Sequence, residues 1–374
     1  MRRRSFFRLG GAAVVALLAV SSAGAGSAAP DVVKIGVVLP LSGSMAEYGD
    51  NGRDGLILAQ EQLRTKKGVK PFTLLYQDAK DTPQGTVNAV HRLIDVDGVR
   101  FIIGGLTSSG VLAAKGYAQR KGVLFFSPAA SAPGIPDGKF VFRNWPSDDA
   151  MARKFGDASY KLGARRVAIL YVSNAYGTTN AAGFAAAFTA RGGAVPFKRA
   201  FPQGTTDFKS LVTQLSALKD ADKIYVIAYP DEFRAFFQEL AKSDVKPDKV
   251  LASDTFYSPK LIGEIGSMTE GVVSAVAAKP GDDYAPRKKF IDAYQHRFHK
   301  APGLVSDTAY DALNLVVTGI STGDGTPAGV AKYLLHLRNY PGAAGVTNFT
   351  PEGDVTGALA LYQVKGGRFV RLTI

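Results

Sequence analysis

The chain has 374 residues, 46% of them hydrophobic and 21% charged, which is ordinary globular composition and room for about two domains at ~150 residues each. Its formal net charge is +13, from 45 Lys and Arg against 32 Asp and Glu, yet the basic residues are spread along the chain and interleaved with acids, as in Lys219–Lys223. That pattern reads as a solvated surface and argues against a nucleic-acid partner. The absence of cysteine excludes a disulfide framework, a thiolate metal site, a cysteine nucleophile and a lipid anchor on an N-terminal cysteine.

The first element is an export signal. MRRRSFFRLGG is a basic start, Ala12–Val20 is a short apolar run, and SSAGAGSAAP is rich in small residues. The run is too short to span a bilayer, which takes ~20 residues. Residues 1–25 are read as the signal peptide, with cleavage after Ala25 in A-x-A context or, alternatively, after Ala28. Arg3-Arg4-Ser5-Phe6-Phe7-Arg8 is similar to a twin-arginine signal, and an ordinary basic n-region is the equal alternative. The mature protein is expected in the periplasm.

After the signal the chain alternates strand and helix. Val32–Leu39 is a nearly continuous apolar, β-branched run and reads as a buried parallel strand. PLSGSMAEYGD reads as a loop and Gly52–Arg64 as a helix. Strands at Phe72–Asp78, Phe101–Gly105 and Val123–Ser127 enclose helices at Thr86–Asp95 and Ser109–Gly122. A helix over Ser147–Gly163 starts the pattern again. Strands at Arg165–Val172, Ala194–Phe201, Lys223–Tyr229 and Lys249–Asp254 follow, with helices near Gly183–Arg191, Asp207–Leu218 and Glu232–Ser243. Three late helices, at Ala285–Lys300, Val305–Ile320 and Gly329–Leu337, precede two closing strands. Strict alternation predicts α/β architecture with parallel sheets in two halves, the late helices crossing back to the first half.

In open parallel sheets ligands sit at the carboxyl ends of strands. The turns there are polar, small and aromatic: LPLSG, GLTSSG, PAASAP, SNAYG, AYPD and SDTF. Two halves facing one another across them would form a cleft.

Catalytic patterns are missing. GGLTSSG stands where a nucleophile elbow would but lacks its glycine spacing. His91, His296, His299 and His336 fall on helices away from strand ends, and His296-x-x-His299 has no third ligand in view, so no metal or cofactor is expected. There is neither a Walker A motif nor a G-x-G-x-x-G after a strand in the mature chain. Asp148-Asp149 and Asp282-Asp283 read as helix-start residues. What remains is binding chemistry. Ser108 opens a helix whose free N–H groups suit a carboxylate, or it is simply an N-cap. Ser131 and the Ala129 carbonyl offer hydrogen bonds in the PAASAP turn. Asp254, ending a buried strand, needs a cation, which a ligand ammonium would supply; the other reading is a helix cap. Tyr48, Tyr176, Tyr229 and Phe256 are candidate walls.

Taken together, KIGVVLPLSGSMAEYGDNGRDG, GLTSSG, GVLFFSPAASAP, VFRNWPSDD, RRVAILYVSNAYG, TTDFKSLVTQL, AYPDEF and AYDAL make the mature chain resemble the periplasmic leucine/isoleucine/valine-binding proteins. These are type I periplasmic binding proteins, the substrate-binding subunits of branched-chain amino-acid ABC transporters. The resemblance implies two Rossmann-like lobes with parallel-sheet cores and a three-segment hinge. It places residues 31–148 and 278–348 in the N-terminal lobe and 149–277 and 349–374 in the C-terminal lobe. It implies a monomer without catalysis that delivers its ligand to a membrane permease. By its motifs Ser108, Ser131 and Tyr229 correspond to carboxylate binders, Ala129, Ser131 and Asp254 to ammonium binders, and Tyr48 and Tyr176 to cleft walls. Some members carry a cysteine pair where this chain has Lys80 and Thr107. An aromatic acid, an amide or urea is the alternative ligand, and a periplasmic sensor the alternative role. Val305 is expected at the side-chain pocket, with room for a larger group.

Overall fold

The computed structural model describes residues 32–281 and 283–373. The expected signal peptide and Asp282 lie outside them. In chain order the first sheet is built from β1 (Val33–Leu39), α1 (Ala46–Arg64), β2 (Phe72–Asp78), α2 (Pro83–His91), β3 (Phe101–Gly104), α3 (Ser108–Arg120), β4 (Leu124–Ser127) and β5 (Val141–Arg143). Its strand order is β2-β1-β3-β4-β5, all parallel.

The chain then crosses to a second sheet. Here stand α4 (Asp148–Lys161), β6 (Arg166–Val172), α5 (Ala175–Ala190), β7 (Ala194–Phe201), α6 (Lys209–Ala217), β8 (Lys223–Ile227), α7 (Pro230–Leu240), β9 (Val250–Ala252), α8 (Pro259–Ile265) and β10 (Val273–Ala277). It returns as α9 (Ala285–Phe298), α10 (Ser306–Thr322) and α11 (Pro327–His336), which pack on α1, β3 and β4. After a small hairpin, β11 (Tyr340–Gly342) with β12 (Gly345–Thr347), it crosses a third time. β13 (Leu359–Lys365) and β14 (Arg368–Leu372) complete the second sheet antiparallel, giving the order β14-β13-β10-β9-β8-β6-β7. The result is two α/β lobes joined by three crossovers.

Local chemistry explains most of these elements. The central strands are almost wholly buried from end to end, as parallel strands covered on both faces must be. Several helices carry a side-chain cap and an early proline: the Thr82 hydroxyl accepts from the Gly85 N–H at 2.9 Å, Ser258 from Leu261 at 3.1 Å, and Thr326 from Gly329 at 3.0 Å.

Three differences from the sequence reading have physical causes. α1 begins at Ala46, inside the stretch read as a loop; Gly43, at φ 85°, makes the turn, and Gly49 passes so near the Pro40 carbonyl that no Cβ fits. α5 starts at Ala175, capped by Asn174, well before Gly183; its alanines and glycines carry no apolar stripe to read. β5, β10 and α8 are short and were not anticipated.

Gly55 on α1 meets the start of α10, where an added Cβ would stand 2.1 Å from the Ser306 carbonyl oxygen. Gly55→Ala is therefore expected to destabilise the fold by about 1–3 kcal/mol, the usual cost of overpacking. Urea denaturation midpoints of the variant and the parent check this.

Candidate functional site

Both sheets reverse strand order next to their first strand, between β1 and β3 and between β6 and β8. Loops leaving the carboxyl ends at these points converge on one cavity of about 40 Å³. Seven of the residues singled out in the sequence line it: Tyr48, Ser108, Ala129, Ser131, Tyr176, Tyr229 and Asp254.

Ser108 is the first residue of α3, but its side chain does not cap that helix. Its hydroxyl oxygen accepts from the backbone N–H of Ser131 at 3.2 Å and of Ala132 at 3.1 Å, and so holds the PAASAP turn against α3. The hydroxyl proton remains for an acceptor in the cavity, beside first-turn N–H groups that have no intrahelical partner. Ser131 donates its hydroxyl proton to Asp148 Oδ2 at 2.7 Å, which leaves its oxygen as an acceptor. The Ala129 carbonyl accepts no hydrogen bond among the described residues.

Asp254 sits in the short turn after β9. Its Oδ1 accepts from the Tyr176 hydroxyl at 2.5 Å and from the Thr255 N–H at 3.0 Å. Burial pushes its carboxyl up, and those two bonds only partly oppose the push. The Tyr176 ring stacks on Tyr229, centroids 5.5 Å apart, and Asn174 donates to the Tyr229 hydroxyl at 3.2 Å. The Tyr229 N–H donates to buried Glu232, whose carboxyl burial lifts to about 7.

The cavity is closed by contacts between the lobes. The Tyr48 hydroxyl on α1 donates to the Thr255 carbonyl, Ser258 donates to Glu47 at 2.7 Å, and the Ala175 N–H donates to Ser109 at 3.2 Å. Met45, Leu106, Trp145, Leu304 and Val305 form its apolar part. Val305 thus lies at the cavity wall, at φ 66° just before α10. Behind the cavity a second one, of about 20 Å³, shares Asp254 and Trp145 and adds Asp148, Asn180 and Tyr225.

One expectation fails and another holds but is incomplete. Phe256 does not line the cavity; it is buried among Phe233, Phe237 and Phe369. Asp148 does begin α4, but it is buried, grips Ser131 and faces the same small cavity as Asp254. Burial, reinforced by the Asp254 charge, lifts its carboxyl to about 8 against the hydrogen bonds of Ser131 and Asn180. Trp145 was missed because β5 was: read as a strand, VFR would have made NWPSDD another strand-end loop. No histidine lines the cavity, and no group of three or more His, Cys, Asp or Glu among the described residues is placed to hold a metal.

The sequence profile of the periplasmic binding protein family matches residues 32–368. The chain is similar to a leucine-, isoleucine-, valine-, threonine- and alanine-binding protein of Pseudomonas aeruginosa, 26% identical over 349 residues, covering 91% of each. Among solved structures it is similar to a leucine-binding protein of Thermotoga maritima, at TM-score 0.84 and 26% identity over 91% of this chain and 98% of that one. A benzoate-bound solute-binding protein of R. palustris shares the fold at TM-score 0.84 and 20% identity, over 91% of this chain and 95% of that one.

The raised carboxyl of Asp148 has a consequence for stability. Its folded value, about 8, exceeds the ordinary 3.8, so between those limits the folded state holds the proton that the unfolded state releases. Stability from this group is complete below the ordinary value and falls as pH rises to about 8, by at most ~1.4 kcal/mol per pH unit. Asp148→Asn keeps an acceptor for Ser131 and is expected to flatten the decline between pH 5 and pH 8, a range bounded by the titration of a raised carboxyl. Denaturant titrations of ligand-free protein across that range measure it.

Proposed function

Because the chain belongs to the periplasmic binding protein family, we propose that it captures an amino acid between its two lobes and delivers it to the permease of an ABC transporter. In this reading residues 31–148 and 278–348 form one jaw, and residues 149–277 and 349–374 the other. The protein works in the periplasm, as a monomer and without catalysis.

The observation that carries the reading is that donors and acceptors meet in one cavity wall. The donors are the Ser108 hydroxyl, the N-terminus of α3 and the Tyr229 hydroxyl, all able to donate to a carboxylate. The acceptors are Asp254, the Ser131 oxygen and the Ala129 carbonyl, all suited to an ammonium. A zwitterionic α-amino acid satisfies both sets. The apolar part, with Met45, Leu106 and Val305, takes an aliphatic side chain. The Pseudomonas and Thermotoga relatives are named for such ligands, which supports the choice of branched-chain amino acids.

Asp254 also argues against a ligand without an ammonium. A benzoate-type acid would bring a second negative charge to a desolvated carboxylate.

The sequence contains one tryptophan, Trp145, and it lines the cavity, so its fluorescence reports binding directly. Ligand-stripped protein titrated with leucine, isoleucine and valine is expected to give a saturating fluorescence change and a rise in melting temperature. Asp254→Asn is expected to lose about 2–5 kcal/mol of that affinity, as when one partner of a buried ion pair is removed. A response to benzoate but to no amino acid would overturn the reading.

A further inference from the structure

Leu304 lines two spaces: the ligand cavity and a groove of about 390 Å³. The groove is cationic. Lys279, from the crossover after β10, Arg287 on α9 and Arg371 on β14 all line it. Asp307 on α10 is the one carboxylate among its described lining residues. It already serves two of the cations, with Lys279 Nζ at 2.8 Å and Arg287 Nη1 at 3.2 Å. Burial alone would raise the Asp307 carboxyl; Lys279 and Arg287 outweigh it and hold the group below its ordinary range. Asp311, one turn along α10, is turned away from the groove, binding the N–H groups of Ala343 and Ala344 at 2.8 Å. Among the described lining residues positive charge is therefore in excess.

The groove also has walls suited to a small organic ligand. The Tyr257 and Tyr362 rings pack at 4.8 Å, and Pro280 and Pro302 bound it. Its residues come from both lobes: α9 and α10 stand with the first sheet, and Tyr362 and Arg371 belong to the second. An anion held there would bridge the lobes beside the cavity that they close on.

We propose that Leu304 separates the amino-acid cavity from a second subsite, built by Lys279, Arg287 and Arg371, that takes a carboxylate. Guanidinium groups favour it because they bind a carboxylate with two parallel hydrogen bonds. Two sources supply that chemistry. One is the distal carboxylate of a longer acidic amino acid whose head lies in the cavity, a case that rests on the amino-acid reading given above. The other is a separate small dicarboxylic acid bound alongside the amino acid.

Calorimetry on the ligand-stripped mature protein tests this with leucine, α-aminoadipate and succinate, the last with and without saturating leucine. Binding of α-aminoadipate or succinate at roughly millimolar concentration or tighter is expected. Arg371→Gln and Arg287→Gln are each expected to weaken it about tenfold, as the loss of one charge-assisted contact would, with leucine affinity unchanged. Leu304→Ala separates the sources: it tightens α-aminoadipate if one molecule spans the partition and leaves succinate unaffected if the acid is separate. If leucine binds while neither acid does, or if both acids bind the two Gln variants as well as the parent, the subsite is overturned. If leucine fails while succinate binds in an Arg371-dependent way, the subsite stands and the amino-acid reading falls.

Discussion

A desolvated carboxylate without a cation is the constraint around which this site is organised. Asp254 stands at the wall of the cavity between the lobes with a phenol and an amide as its hydrogen-bond donors, and neither carries charge. Asp148 adds a second buried acid nearby. Arg143 relieves Asp148 only in part and is not among the groups that act on Asp254. Arg143 is committed to Asp354 through two bonds, at 2.7 and 2.6 Å, and to the Ala132 carbonyl at 2.9 Å. An ionised carboxylate in such a place is costly unless a cation joins it. A ligand ammonium meets that need, and a neutral or anionic head group does not. On the proposed reading, the missing charge is a filter on what the cleft can hold.

The bare turn at Pro128–Pro133 is rigid because other residues supply what it lacks. Ser127 bridges the Gly105 carbonyl and the Ala130 N–H; Ser108 receives two of its N–H groups; Arg143 takes its carbonyls; Asp148 takes the Ser131 hydroxyl. Small residues are needed there so that backbone atoms, rather than side chains, reach the cavity. With these supports in place the Ala129 carbonyl is left over, and its orientation is fixed by the bonds on either side of it. Preorganisation of this kind lowers the entropy lost on binding.

Much of this was legible in the sequence, and the failures share a cause. Long β-branched runs such as Arg166–Val172 announced the parallel strands, and the rule that ligands gather at carboxyl ends then put seven dispersed residues into one cavity. Short strands carry too few residues for a period, so β5 was invisible and Trp145 was lost with it. Phe256 was misassigned because a strand-end aromatic can turn either to the ligand or to the core, and only packing against Phe233 and Phe237 decides. The helix-start reading of Asp148 stopped at local chemistry; its partner, Ser131, is local to it only in space.

Closure and recognition draw on the same few atoms. Tyr48, from the first lobe, bonds the Thr255 carbonyl, while Thr255 and Tyr176 hold Asp254. The segment that would meet the ammonium is therefore the segment that latches the lobes. The other direct polar contacts between strand-end loops of the two lobes are sparse, Glu47 with Ser258 and Ser109 with Ala175 among them. A clasp of a few hydrogen bonds, each worth about 0.5–1.5 kcal/mol net, is weak against the cost of burying two acids between the lobes. Without a ligand, closing desolvates Asp254 and Asp148 for little return; with an ammonium present, the same closing motion creates an ion pair in low dielectric. The ligand shifts the equilibrium toward the closed form because it interacts differently with the two states, which is the condition for such a shift. On the proposed reading, selection for an ammonium and selection for closure are one physical event at Asp254.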